Sequence, residues 1–306
     1  MNIATREAYG EALKELAINE KIVVLDADLA KATKSIEFKK AAPERFFDMG
    51  IAEGDMIGTA AGLATCGKIP FATTFAMFAA GRAFEQIRNS AAYPKLNVKV
   101  AVTHAGVTVG EDGGSHQAIE DISLMRSIPN MVVLNPSDAI EAKKAVYAAA
   151  EYYGPVYIRL GRAQVPVIHE ENYEFKIGKG EVLREGKDVL IVATGIMVAK
   201  ALEAAETLSK ENIEATVVNM STIKPLDAEL IVSLAKDIKK VITAEEHSII
   251  GGLGSAVAEV LSEECPVKLK RIGLKDVFGQ SGTPEALLKY YGLTSEDIVK
   301  AAKDIK

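Results

Sequence analysis

Strand-type and helix-type hydrophobic patterns alternate along almost the whole chain, and this alternation constrains the fold more than any other feature. Short apolar runs, such as residues 21–26 and 98–102, are typical of buried strands. Amphipathic stretches at helical spacing, including residues 6–17, lie between such runs. Repeated strand–helix units predict mostly parallel sheets that helices cover on both faces. The predicted fold class is therefore α/β.

The length of the chain and one break in its pattern divide it into two predicted domains. A chain of 306 residues exceeds what one ordinary core accommodates. The alternation stops around Pro166, in a segment of mixed charge without a clear period. We predict a first domain over residues 1–165, a linker over 166–176 and a second domain over 177–306, each with a mostly parallel sheet flanked by helices.

Charge and cysteine content exclude several classes of protein. The formal net charge is -6 and no basic run occurs, which argues against binding of nucleic acid or of an anionic membrane surface. Two cysteines cannot form a disulfide framework or a zinc cluster. The sequence shows no signal peptide and no apolar run of about 20 residues, so we expect a cytoplasmic protein that does not span a membrane.

The densest group of chemically active side chains directly follows a predicted buried strand. The segment THAGVTVGEDGGSHQAIED, residues 103–121, holds His104, Asp112 and His116 among four glycines. Open parallel sheets bind ligands at the carboxyl edge, where such a loop would lie. The glycines indicate a constrained backbone, which favours a ligand site over a solvated loop for Asp112 and His116. For His104, a hydrogen-bonded histidine at a strand end explains the position equally well.

Two further segments place candidate residues where strands end. DMGIAEGDM, residues 48–56, puts Glu53 in the first turn of a helix. There it either complements the helix dipole or is an acid that apolar neighbours keep protonated. PFATTFAMF, residues 70–78, puts Phe75 and Phe78 at the carboxyl end of a strand. Such aromatic faces either pack in the core or stack on a bound heterocycle.

Two other segments suggest anion binding. Arg159 and Arg162 leave one predicted strand together and suit a phosphate or carboxylate, with surface salt bridges as the alternative. GGLGS, residues 251–255, opens a predicted helix after a strand. Its glycine spacing does not complete a dinucleotide fingerprint, so we predict a tight turn that can hold an anion.

Taken together, these segments resemble the C-terminal half of transketolase, a family of thiamine-diphosphate-dependent enzymes. The resemblance covers nearly all of the chain, including AEEHSIIGGLGSAVAEVL in the second predicted domain. It implies a pyrimidine-side thiamine-diphosphate-binding domain followed by a transketolase-like C-terminal domain. It also implies the family reaction, transfer of a two-carbon ketol unit between sugar phosphates.

The resemblance implies cofactor-binding roles for four residues. Glu53 matches the glutamate that activates the cofactor by donating a proton to its pyrimidine ring. Phe78, with Phe75 nearby, matches the aromatic segment beside that ring. Asp28, in the segment DADLA, matches an acid near the thiazolium ring.

The resemblance also implies how the substrate is bound. His104, Asp112 and His116 match positions that contact the sugar phosphate, and the two histidines are implied to act catalytically with Glu53. Arg162 and Arg6 match arginines on the phosphate side of the family's site, with Arg159 as a further candidate.

One element of the family is missing from this sequence. The family's pyrophosphate-binding domain carries Gly-Asp-Gly followed by an Asn, which hold Mg²⁺ and the diphosphate, and the 306 residues contain no such element. We therefore expect the C-terminal subunit of a split transketolase, with the Mg²⁺ ligands on an N-terminal partner chain. Since the family's cofactor lies between protomers, we expect a homodimer within a heterotetramer.

Two alternatives remain open at this point. The segments GIAEGDM and AAGLA fit the beta subunit of a 2-oxo acid dehydrogenase, or a fragment of deoxyxylulose-phosphate synthase, nearly as well. A dehydrogenase subunit has no need for the set of His104, Asp112 and His116, and the synthase loop typically carries an arginine where this chain has Ala105. The other alternative is a non-catalytic assembly subunit that keeps the fold, against which the joint presence of Glu53 and the loop residues argues.

Overall fold

The computed structural model describes residues 1–305, which form two α/β units around separate sheets. The strands are β1 (Asn2–Ala4), β2 (Ile22–Asp26), β3 (Phe46–Asp48), β4 (Ile69–Phe75), β5 (Lys99–Thr103), β6 (Val132–Leu134), β7 (Val156–Arg159), β8 (Gln164–Pro166), β9 (Glu181–Arg184), β10 (Val189–Ala193), β11 (Ala215–Asn219), β12 (Thr222–Lys224), β13 (Lys240–Ser248) and β14 (Lys268–Leu274). The helices are α1 (Thr5–Leu16), α2 (Ala30–Thr33), α3 (Ile36–Ala41), α4 (Glu53–Thr65), α5 (Phe84–Gln86), α6 (Asp121–Ser127), α7 (Ala139–Glu151), α8 (Met197–Ser209), α9 (Ala228–Ile238), α10 (Leu253–Glu264), α11 (Pro284–Tyr290) and α12 (Ser295–Asp304).

The first sheet has seven strands in the order β12-β6-β7-β5-β4-β2-β3, and all neighbours except β12 and β6 are parallel. Side chains of a strand point alternately to the two faces of the sheet. Val23 and Leu25 of β2 accordingly enter one apolar cluster, and Ile22 and Val24 enter the cluster on the other side. Both faces are covered, which explains why β2 is apolar at nearly every position.

The second sheet has five strands in the order β14-β13-β10-β11-β9, and only β9 is antiparallel to its neighbour. Apolar clusters again lie on both of its faces. The α/β fold with mostly parallel, helix-flanked sheets is thus confirmed. Strand β12, although it belongs to the second half of the chain, pairs with β6 at the edge of the first sheet. No helix within residues 1–305 is long and apolar enough to cross a bilayer.

Two local predictions differ from the structure. Helical spacing over residues 78–92 predicts one helix, but the structure breaks it into wide, π-type turns at Phe78–Arg82 and Ile87–Ala92 on either side of α5. Ser137, with Glu141 downstream, predicts a helix N-cap, but α7 is capped one residue later, because the Asp138 carboxylate accepts the backbone N–H of Glu141. The Ser137 hydroxyl instead donates to the Glu141 carboxylate at 2.8 Å.

The segment predicted as a linker is anchored on both sides. Residues Gln164–Pro166 pair with β1 as an antiparallel ribbon. His169 is buried, with Nδ1 3.0 Å from Asp138 Oδ2 and Nε2 2.9 Å from Glu181 Oε2. It therefore connects α7 of the first unit with β9 of the second. Where the domain boundary falls stays a prediction.

We expect this linker contact to make stability depend on pH. Burial alone would lower the pKa of His169, but Asp138 and Glu181 outweigh it and raise the pKa to about 10. A raised folded-state pKa stabilises the fold fully below the unfolded value of 6.5, and the contribution declines as pH rises toward about 10. The difference in unfolding free energy between wild type and His169→Gln should therefore shrink from about 3 kcal/mol to near zero over that range. Urea titrations at several pH values measure it, and a pH-independent difference would contradict the prediction.

Candidate active site

Aromatic and histidine side chains converge at the carboxyl edge of the first sheet. Strands β4 and β5 are parallel neighbours, so Phe75 and His104 emerge side by side. Their rings stack with centroids 3.8 Å apart. Phe78 follows one turn later, 5.9 Å from Phe75, and His116 lies 5.3 Å from Phe78 in an edge-on arrangement. Four residues singled out in the sequence thus form one contiguous surface.

His104 is held as a neutral imidazole. Its Nε2 lies 3.1 Å from Nη1 of Arg6, and its Nδ1 lies 2.8 Å from Oγ1 of Thr103. Because a guanidinium only donates, Nε2 must accept and the ring proton must reside on Nδ1. Burial, together with the nearby charges of Arg6 and Arg162, lowers the pKa of His104 to about 3. Its backbone φ of 58° lies in the left-handed region, an arrangement that concentrates at functional sites.

Two arginines from distant parts of the sequence flank His104. The Gly161 N–H donates to Thr5 Oγ1 at 2.8 Å, which joins the start of α1 to the loop that carries Arg162. Arg6 also donates to the Ala32 carbonyl oxygen at 2.9 Å. Burial lowers the pKa of Arg6, and the positive charge of Arg162 adds to that shift. Arg162 also pairs with the exposed Glu111 carboxylate at 3.2 Å. An anion bound beside both arginines would relieve their mutual repulsion and compete with Glu111.

Glu53 lies in the first turn of α4 and only 4% of its surface is exposed. Its Oε1 accepts a hydrogen bond from Nη1 of Arg82 at 3.0 Å. The Arg82 guanidinium in turn lies 4.2 Å above the Phe78 ring. The apolar surroundings predicted for Glu53 are therefore wrong on this side, and Ile51, one of the predicted neighbours, is 74% exposed.

Three other predicted residues lie in different settings. Asp28 follows β2, is exposed and has a left-handed φ of 61°. Asp112 is exposed in the loop of residues 103–121, whereas Gly114, two residues later, is half-buried. Arg159, by contrast, is buried and its Nε donates to Asp121 Oδ2 at 2.8 Å. Its predicted part in phosphate binding is wrong, because its charge already has a buried partner.

The glycine turn at residues 251–255 binds an acidic side chain of the chain itself, Glu245, whose pKa burial raises to about 7. The Glu245 carboxylate accepts the backbone N–H groups of Leu253 at 2.7 Å and Gly254 at 2.8 Å. A carboxylate at this position satisfies the free N–H groups at the start of α10 and complements its dipole.

Sequence reasoning missed two residues of the site. Arg82 reaches Glu53 because the π-type turn changes which side chains share a face. Glu246 enters from the second unit, and its Oε1 accepts the Thr108 N–H at 2.6 Å within the predicted substrate loop. The signal for Glu246 is the run of charged residues AEEH inside an otherwise apolar strand, β13.

The side chains of this surface limit the chemistry that it can support. It offers a buried carboxyl, aromatic faces, neutral imidazole and paired guanidinium groups. Within residues 1–305 no group of three or more His, Cys, Asp or Glu side chains is arranged to hold a metal ion. The surface therefore suits a planar ring and an anionic substrate.

Comparison with known proteins identifies the family. Residues 1–167 match the model of the transketolase pyrimidine-binding domain, and residues 178–298 match that of the transketolase C-terminal domain. The chain belongs to the transketolase family. The resemblance to the C-terminal half of transketolase is thereby confirmed.

Relatives of similar length agree with this assignment. A Methanocaldococcus jannaschii protein, provisionally named a transketolase C-terminal section, is 56% identical over 96% of this chain and 94% of its own length. The 6-deoxy-6-sulfo-D-fructose transketolase subunit SqwH of a Clostridium species is 47% identical over 98% and 94%. A solved structure described as a split gene transketolase, inactive beta4 tetramer, is 62% identical, with a TM-score of 0.93 over 99% of this chain and 98% of that chain.

We expect His104 to stay neutral, with its proton on Nδ1, between about pH 5 and pH 8, where an ordinary histidine titrates. Nitrogen-15 NMR of histidine-labelled protein measures both properties. Arg6→Ala should raise the pKa of His104, because it removes a repelling positive charge. His247 serves as the control. Burial lowers the pKa of His247 to about 4, and Arg6 is not among the charges that shift this pKa. A His104 signal that titrates near pH 6.5 in wild type would contradict the assignment.

Proposed function

We propose that this chain is the C-terminal subunit of a split transketolase. With an N-terminal partner and thiamine diphosphate, it transfers a two-carbon ketol unit between sugar phosphates. The observation that carries the proposal is the convergence of Glu53, Phe78, His104 and the Arg6–Arg162 pair at one sheet edge. Each of these residues comes from a different part of the first unit, and packing brings them into one surface.

The residues present fit the pyrimidine half of the cofactor. Glu53 provides a buried carboxyl that can share a proton with a ring nitrogen, and Phe75 and Phe78 provide aromatic faces beside it. Asp28 is proposed to lie toward the thiazolium side. When bound, thiamine diphosphate supplies the carbanion chemistry of ketol transfer. The chain's own contribution is orientation of the ring and control of the proton at Glu53 Oε1.

Arg82 has to leave Glu53 before a ring can take its place on Phe78. The guanidinium is a planar donor that stacks on Phe78 and bonds to Glu53, which are the two contacts proposed for the pyrimidine. About half of the Arg82 side chain is already exposed, so the guanidinium can turn into solvent and become fully hydrated.

The substrate is proposed to bind with its anionic end on the arginines. Arg6 and Arg162 repel each other, and an anion between them relieves that repulsion. Nε2 of neutral His104, which accepts a hydrogen bond from Arg6, can instead accept one from a substrate hydroxyl. His116, on the other side of the aromatic surface, can bond to a second oxygen and exchange a proton with it. Asp112 is proposed to accept a hydroxyl of the donor sugar.

Two findings support the need for a partner chain. The Gly-Asp-Gly element that holds Mg²⁺ and the diphosphate in the family is not in the sequence, so these ligands are assigned to an N-terminal subunit. The similar split-gene protein is described as an inactive beta4 tetramer. Ile51 and the open positions around Gly58 and Gly62 leave part of α4 uncovered, which suits the proposed homodimer within a heterotetramer.

A sulfonated sugar is a second substrate class, favoured by the Clostridium relative whose name states such a substrate. Sulfonate and phosphate present similar oxygen acceptors to a guanidinium pair. Assays of the reconstituted enzyme with xylulose 5-phosphate and with 6-deoxy-6-sulfofructose, each with ribose 5-phosphate as acceptor, distinguish the two. Decarboxylation of 2-oxo acids would support a dehydrogenase subunit, and no gain on adding the partner would support a non-catalytic assembly role.

We expect Glu53→Gln to lower kcat of the reconstituted enzyme about 10²–10⁴-fold, because the variant cannot hold the proton that the reaction moves. Asp55→Asn is the matched control, since Asp55 lies in the same helical turn but is exposed. It should leave ketol transfer nearly unchanged. Circular dichroism verifies that both variants fold. Near-normal transfer by Glu53→Gln would refute the role assigned to Glu53.

We expect the chain alone to bind thiamine diphosphate and Mg²⁺ weakly or not at all, because it offers no ligands for the diphosphate side. Isothermal titration calorimetry with the cofactor and Mg²⁺ measures this. Addition of the N-terminal subunit should produce saturable binding. Tight binding by the isolated chain would show that the diphosphate ligands lie on this subunit.

A further inference from the structure

We propose that Glu246 of the second unit is a positioning residue for the predicted substrate loop of the first, residues 103–121. The inference rests on the proposed function, because it concerns the residue that sets the geometry of that loop. It gives the C-terminal domain a part in substrate binding that goes beyond packing.

The contact is a short, buried hydrogen bond between the two units. Glu246 lies on β13 and is 4% exposed. Its Oε1 accepts the backbone N–H of Thr108 at 2.6 Å, in the short 3₁₀ turn Val107–Val109. The N–H groups at the start of such a turn have no partner within it, so an outside acceptor fixes the position of the turn.

Gly106 shows how closely the carboxyl approaches the loop. A Cβ atom on Gly106 would lie 2.2 Å from Cδ of Glu246, and the residue has a left-handed φ of +79°. Only glycine allows both the backbone conformation and the approach. The Glu246 carboxyl therefore sits directly against the chain between His104 and Thr108, four residues apart.

The strand that carries Glu246 is itself tied to the end of the loop. The Arg159 guanidinium donates to the Glu246 carbonyl oxygen at 3.0 Å and to the Ala118 carbonyl oxygen at 3.2 Å. Burial raises the pKa of Glu246, whereas the Arg159 charge and the Thr108 N–H oppose that rise. The backbone that carries the carboxyl is thus tied, through Arg159, to the end of the loop.

The second unit also touches the outer part of the loop. The Gln117 side chain donates to the Gln280 carbonyl oxygen at 2.9 Å, and the Ser281 hydroxyl donates to the Glu111 carbonyl oxygen at 2.7 Å. These contacts flank Asp112 and His116, while Glu246 fixes the segment next to His104. The loop is therefore held from the second unit at both ends.

Glu245 provides a matched control. It neighbours Glu246 on β13 and is equally buried, but its carboxylate caps α10 through Leu253 and Gly254. Loss of either carboxylate removes a buried hydrogen-bonded acid from the same strand. Only the change at position 246 removes a contact with the substrate loop.

The experiment measures kcat and KM of the reconstituted enzyme for xylulose 5-phosphate in three variants. We expect Glu246→Ala to lower kcat/KM about 100-fold, since small misplacements of substrate-binding groups have effects of this size. Glu246→Gln keeps an oxygen that accepts the Thr108 N–H and should recover most of the loss. Glu245→Ala should lower the melting temperature but leave kcat/KM within about twofold of wild type. The contact of Glu245 with α10 is separate from the substrate loop, and effects at separate sites are usually independent.

Amide hydrogen exchange of the chain without its partner provides a readout that does not need turnover. Exchange at residues 106–109 should rise in Glu246→Ala, whereas Glu245→Ala should raise it at residues 253–255. Glu246→Asp, whose shorter side chain keeps the charge but loses the reach, substitutes for Glu246→Ala if the alanine variant does not fold. The proposal is overturned if kcat/KM falls no further at position 246 than at 245, if glutamine recovers nothing, or if exchange at 106–109 is unchanged. A wild-type enzyme without ketol transfer refutes the proposed function, and the exchange data still decide whether Glu246 holds the loop.

Discussion

The arrangement of the site depends on one buried cation, the guanidinium of Arg159. A charge taken out of water must be matched by an opposite charge and by hydrogen bonds, or the fold loses several kcal/mol. Arg159 finds its counter-charge in Asp121, the first residue of α6, and its Nη2 donates to the carbonyl oxygens of Ala118 and Glu246. The Tyr157 hydroxyl, on the same face of β7, donates to the same Asp121 oxygen. A single buried group thereby fixes the end of the substrate loop, the start of α6 and the neighbouring domain relative to one another.

Around this frame, the site is built from interactions that are unfavourable by themselves. Arg6 and Arg162 repel each other, and His104 adopts a left-handed backbone conformation that non-glycine residues rarely occupy. Such arrangements persist only where the surrounding structure determines them, as the Thr5–Gly161 hydrogen bond and the stacking of Phe75 on His104 do here. The positive charge that results cannot be removed by deprotonating the histidine, because His104 is already neutral. The exposed Glu111 carboxylate pairs with Arg162 at 3.2 Å, and a substrate anion in the proposed phosphate subsite would take over that pairing.

The sequence predicts this fold well because parallel strands covered on both faces leave a strong, continuous apolar pattern. It also predicts which strands deliver Phe75 and His104, since carboxyl ends of parallel strands share an edge. It fails where the outcome depends on contacts between distant segments. Arg159 and Arg162 look alike in the sequence, yet Arg159 is the last residue of β7 and faces inward toward Asp121, whereas Arg162 lies beyond the strand. The strand-type pattern of residues 240–244 ends before Glu246, and the partner of Glu246, Thr108, is 138 residues away.

The ion pair between Glu53 and Arg82 explains how such a subunit can be stable before its cofactor arrives. A buried carboxyl with no partner is costly, so a chain that waits for a cofactor needs a temporary donor. Arg82 meets this need from the surface: it bonds to Glu53 and covers Phe78, yet about half of its side chain stays in water. On the proposed function, the pyrimidine ring of the cofactor replaces the Arg82 guanidinium as the planar donor to Glu53. The free energy gained by this replacement is smaller than the free energy gained by filling an empty site. On that proposal, affinity for the cofactor comes largely from its diphosphate end, which is assigned to the partner subunit.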